Sequence, residues 1–134
     1  MKKILPKIIS TSTVANTKLF TVENVHLQFS NGEQRVYERF AGISNRSVII
    51  IPVVDQTVLL VREYAVGLEQ YTLQFPAGRI DTGETPEEAA NRELMEEVGY
   101  GAKALTVLKQ TAISPSYSSA QSYLVLAEDL YIKQ

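Results

Sequence analysis

Glu93, Glu96 and Glu97 stand at i, i+3 and i+4, a spacing that puts three carboxylates on one face of a helix turning about 100° per residue. Ala90, Leu94 and Val98 fall on another face suited to packing against a sheet, so the acids would be held in one place and orientation. Like charges at these spacings repel and weaken a helix, and a divalent cation would compensate. Oxygen ligands on a rigid element suit Mg²⁺, with Mn²⁺ as a substitute, because such ions retain waters and bridge to phosphates. Arg92 is spaced to reach Glu88 and Glu96 and to orient the cluster. Taken alone, though, acidic helical runs are more often solvated faces, and Glu87 and Glu88 fit the dipole at a helix start.

The elements that must position these acids are marked locally. Thr85 suits an N-cap, Pro86 the first helical position and Glu88 the reciprocal half of a capping box. The helix is predicted from Pro86 to Val98, with Gly99 as the left-handed residue that stops it. Alternating apolar residues from Leu19 to Phe40, broken at Asn31-Gly32, predict a hairpin. Ser47 to Val54 is nearly continuous Val and Ile, as in a strand buried on both faces, with a turn at Asp55-Gln56-Thr57 and a continuation from Val58 to Val61. Tyr71 to Phe75 is a shorter strand that Pro76-Ala77-Gly78 ends, with a loop beyond it. Ala104 to Leu108 and Ser122 to Ala127 complete the strands, separated by a loop over Ser114–Ser119. Strands around one helix make a mixed α/β or α+β domain, read as one unit over residues 1–134.

From Gly78 to Tyr100 the string GRIDTGETPEEAANRELMEEVGY fits G-x5-E-x7-R-E-U-x-E-E-x-G-U, with U apolar or aromatic. It resembles the Nudix box, which is far more specific than a lone glycine motif. The likeness runs from about Leu19 to Tyr131, takes in Arg62-Glu63-Tyr64 and Tyr117, and is strongest to the bacterial ADP-compounds hydrolases of that family. It implies the Nudix fold, an α/β/α sandwich with a mixed sheet, and hydrolysis of the pyrophosphate bond of ADP-ribose or NADH with release of AMP. It also implies that Glu93 and Glu97 are metal ligands, Glu96 a further ligand or water-positioning group, and the Ala77 carbonyl a ligand. Glu84 would support the loop. Pro115, 16 residues after Gly99, occupies a placement associated with ADP-ribose-type substrates.

Outside the box, Arg39, Arg46 and Arg62 are candidate phosphate contacts, against the commoner role of a solvated arginine. Tyr37, Tyr71 and Tyr117 could stack on adenine, against a role in finishing the core. His26 reads as an ordinary strand residue, and the serines of the 114–119 loop lack a nucleophile elbow. A net charge of −2 gives no general attraction to nucleic acid or anionic lipid. With no cysteine, thiol catalysis and zinc–thiolate sites are excluded. The basic start at Met1-Lys2-Lys3 is interrupted by Pro6 and Lys7 before an export signal forms, and no apolar run approaches a membrane span, so a cytoplasmic location is expected.

The chain stops at Gln134, where the resemblance implies a further strand and a C-terminal helix; one sandwich layer is therefore expected to be absent. An apolar face left bare would be covered by a partner, and a homodimer through the N-terminal strands is expected. The competing readings are a Nudix hydrolase of nucleoside triphosphates or diadenosine polyphosphates, and a non-catalytic nucleotide-binding module.

Overall fold

The computed structural model describes residues 3–42 and 46–133, so the basic start at Met1-Lys2 lies outside the described residues. The chain falls into two compact units, Met1–Ser44 with Ile113–Ala120, and Asn45–Ala112 with Gln121–Gln134.

The first unit is an antiparallel sheet of β1 (Lys7–Asn16), β2 (Thr21–Gln28) and β3 (Gln34–Phe40), in that order. The expected hairpin is β2–β3, and of its Asn31-Gly32 pair only Gly32 adopts a positive φ, at 86°. β1 was not expected. Its sequence KIISTSTVAN has no clean alternation because every residue is exposed, and its register with β2 shifts twice. Val25 is the buried apolar residue here, and Phe40 carries the packing, with ring centroids 5.2 Å from Phe20 and 6.0 Å from Tyr117. The Phe40 amide donates to the Tyr117 carbonyl at 2.8 Å, tying the 113–120 loop to β3.

The second unit contains β4 (Arg46–Val54), β5 (Thr57–Val58), β6 (Val61–Ala65), β7 (Gln70–Gln74), β8 (Ala77–Arg79), α1 (Pro86–Val98), β9 (Tyr100–Ala112) and β10 (Gln121–Ile132). Its main sheet runs β5-β4-β10-β9, and β4 lies parallel to β10 while the other pairs are antiparallel. β6 and β7 form a separate antiparallel ribbon.

Two expectations need correction. The strand does end before Pro76, as β7, but no loop begins at Pro76-Ala77-Gly78: a proline lacks only its own ladder donor, its carbonyl accepts from Ile50 at 2.8 Å, and a new strand, β8, pairs with β4 from Ala77. The stretch Val58 to Val61 is not one strand, because Asp55 and Gln56 both take positive φ, closing a two-residue hairpin in which β5 ends after Val58.

Ala89, Ala90 and Leu94 of α1 pack with Val48, Ile50, Ala102, Val125 and Ala127, all buried. Burying each larger side chain contributes about 1.5–3 kcal/mol. β4 alternates Val48, Ile50 and Pro52, buried, with Ile49 and Ile51, only partly buried, so the expectation of burial on both faces holds fully for one. The Ala102 amide donates to Asn91 Oδ1 at 2.9 Å, fixing the helix to β9 as well as to the core.

Candidate active site

The helix that carries the acids begins and ends where its residues dictate. Thr85 Oγ1 accepts from the Glu88 amide at 3.1 Å and Glu88 Oε2 accepts from the Thr85 amide at 2.9 Å, completing the capping box. Gly99 closes the helix in the left-handed conformation, φ 74°, its amide donating to the Met95 carbonyl at 3.2 Å.

Arg92 is the hub of the site. Its Nε and Nη2 donate to the two Glu84 oxygens at 2.8 and 3.0 Å, its Nη1 to Glu93 Oε1 at 2.8 Å and its Nη2 to the Arg79 carbonyl at 2.9 Å. Asp81 and Glu96 lie further off, at 3.6 and 3.7 Å. One planar guanidinium thus joins the helix to the loop before it, which a lysine's single ammonium cannot do. Glu88, expected as an Arg92 partner, is engaged in the cap instead.

The guanidinium beside Glu84, helped by the Asp81 amide donating at 2.9 Å, holds the Glu84 carboxyl down to about 2 from an ordinary 4.5. Arg92 is raised in turn by Glu84 and Glu93. Because the folded value lies below the unfolded one, the pair's stabilisation is complete above pH 4.5 and disappears as pH falls through about 2. Glu84→Gln should therefore be less stable than the parent at neutral pH, with the gap closing in acid. Chemical unfolding at a series of pH values checks this; a gap that widens below pH 4.5 would contradict it.

Glu93 is deeply set, with 14% of its side chain exposed, and rests on Gly78. A Cβ at Gly78 would overlap the Glu93 carboxyl group, so the glycine lets that side chain lie against the backbone here. Glu97 Oε2 accepts from the Ala77 amide at 3.3 Å. Partial desolvation pushes the Glu97 carboxyl up, and Glu93, Glu63 and Glu96 add to that rise by repulsion, against the pull of the Ala77 amide. Glu63, on β6, stands out in the sequence only within the Arg62-Glu63-Tyr64 resemblance; a strand of five residues is too short for alternation to mark it as a neighbour of Glu97.

These groups fit a hard divalent cation: the donors are all oxygen and their charges repel one another. Among the described residues no three acidic or histidine side chains already converge as a metal cage.

The remaining candidates fall into both units. Arg46 opens β4 and Arg62 lies on β6, both exposed and without a salt bridge among the described residues. In the first unit, Arg39, Tyr37, Pro115 and Tyr117 line one open groove of 610 Å³. Tyr71 packs edge-on against Tyr64 in the β6–β7 ribbon.

Residues 6–39 match the NudE-type Nudix hydrolase N-terminal domain, and residues 44–131 match the NUDIX domain. The chain is 54% identical over 126 residues to the ADP compounds hydrolase NudE of Escherichia coli, covering 94% of this chain and 68% of that protein. It is 31% identical over 135 residues to the ADP-ribose pyrophosphatase of Bacillus subtilis, covering 98% and 71%. A crystal structure of an ADP compounds hydrolase superimposes with TM-score 0.94 at 51% identity, covering 100% of this chain and 72% of that one. The expected mixed-sheet Nudix fold is thereby borne out, and the chain belongs to the Nudix hydrolase family, its NUDIX domain preceded by an N-terminal domain of the NudE type.

Proposed function

We propose that this Nudix hydrolase cleaves the pyrophosphate bond of ADP-linked compounds such as ADP-ribose or NADH and releases AMP. The observation that carries the reading is the 54% identity, across nearly the whole chain, to a relative named for ADP compounds. The intact acidic face of α1 supports catalysis over a purely binding role.

Glu93 and Glu97, with the Ala77 carbonyl, would hold Mg²⁺, and Glu96 would add a ligand or position water. When bound, the cation neutralises charge on the pyrophosphate and makes water a stronger nucleophile. Arg92, which donates to Glu93 at 2.8 Å, would fix that carboxylate before substrate arrives. Arg62, Arg46 and Arg39 are proposed substrate contacts, with Pro115 and Tyr117 shaping the nucleoside end. A cytoplasmic location accords with such substrates.

In a Mg²⁺ assay across a substrate panel, ADP-ribose or NADH should give a higher kcat/KM than ATP or dGTP. The reverse ranking would move the protein to the triphosphate hydrolases without touching the metal chemistry.

We also propose a homodimer built through the first unit. Its support is β1, exposed along all ten residues, together with Ile4, Leu5, Ile8 and Val14, each more than half exposed. An isologous contact would cover that apolar strip on both copies. Light scattering should give twice 14.9 kDa; the single value at micromolar concentration would exclude the dimer.

A further inference from the structure

Arg39 and Glu23 are opposite one another across the β2–β3 ladder. The Arg39 Nε donates to Glu23 Oε1 at 2.7 Å, and the carboxylate is largely covered, 17% exposed, while the arginine is 44% exposed. Among the described residues neither Nη atom of Arg39 has a hydrogen-bond partner. The guanidinium is thus fixed through one nitrogen and leaves a fork of donors.

The groove that these two residues line also takes in Tyr37 and Tyr117, about half exposed, and Glu38. Its volume of 610 Å³ lies within the usual range of small-molecule sites. The charge on Arg39 is already balanced by Glu23. A phosphate entering here would meet a guanidinium whose charge a carboxylate already offsets. An uncharged ring system rich in acceptors meets aromatic faces and oriented donors instead.

We propose that Glu23 is a specificity-determining positioning residue, which neutralises Arg39 and aims its free nitrogens so that the groove takes an uncharged nucleoside and rejects free phosphate. The choice of adenosine as that nucleoside rests on the function proposed above. Glu23→Gln keeps the size and an acceptor but removes the charge, so it converts a balanced donor fork into a loosely held cation. Glu23→Asp retains the charge.

Isothermal titration in EDTA, with adenosine and inorganic phosphate as separate probes, tests this. The parent protein should bind adenosine and prefer it to phosphate. Glu23→Gln should weaken adenosine about tenfold, as for loss of one charge-assisted hydrogen bond, and should gain affinity for phosphate; Glu23→Asp should keep the parent's ranking. A merely structural role would weaken both ligands together. Arg39→Lys provides a second variant, and should lose adenosine comparably because an ammonium cannot keep the ion pair and the fork at once. Unchanged adenosine affinity in Glu23→Gln, or a parent protein that prefers phosphate, overturns the proposal. Glu23-dependent adenosine binding in a protein inert towards ADP-ribose supports it and contradicts the proposed activity. Turnover of ADP-ribose with unaltered KM in Glu23→Gln does the reverse.

Discussion

Glu97→Gln is expected to lower kcat by about 10³-fold, the scale of losing one preorganised electrostatic group at a reaction centre. The carboxylate sits against the Ala77 amide and is pressed by Glu93, Glu63 and Glu96. Replacing it with an amide relieves that repulsion, so the variant should fold at least as well as the parent while losing the proposed metal ligand. KM should move far less than kcat if the interaction is made chiefly in the transition state. Glu87→Gln, in the first turn and outside the Arg92 network, is the matched control and should change little. Steady-state kinetics with a thermal melt on each variant decides the matter. A Glu97→Gln protein with parental kcat would remove Glu97 from the catalytic set.

Gly78→Ala is the second large effect, and it acts through position rather than charge. The added methyl would occupy the space of the Glu93 carboxyl, which cannot swing aside without breaking its 2.8 Å bond to Arg92. A displacement of about 1 Å at a reacting group costs on the order of 10²-fold in rate. The expected result is that loss in kcat with a melting temperature lowered by only a few degrees, since the strain falls on one side chain. Gly67→Ala is the comparison: nothing lies within 4 Å of the added atom there. Equal kcat for the two alanine variants would show that Glu93 has room to move.

The helix and its acids were legible because every signal involved is local. Thr85, Pro86, Glu88 and Gly99 act within a turn of themselves, and the i, i+3, i+4 spacing of the glutamates follows from helix geometry alone. The parallel pairing of Ser47 with Ser122 was not legible, since it joins strands far apart in the chain and no local pattern encodes a parallel partner. β8 is not legible either: Pro76 marks the end of β7, and the pairing of Ala77–Arg79 with β4 just beyond it is non-local. Of the two glutamates expected within reach of Arg92, Glu96 lies at 3.7 Å and Glu88 is engaged in the cap; its closest partners outside the helix, Glu84 in the loop and the Arg79 carbonyl at the end of β8, are set by the fold of the segment before the helix. Glu23 and Arg39 became partners only once the hairpin register was known.

The most direct test of metal-dependent pyrophosphate hydrolysis is the product analysis of ADP-ribose incubated with the protein in Mg²⁺, and in EDTA alongside. AMP and ribose 5-phosphate should accumulate in equal amounts with Mg²⁺ and not at all with EDTA. Folded protein that releases no AMP in Mg²⁺, or that turns over undiminished in EDTA, would contradict the account.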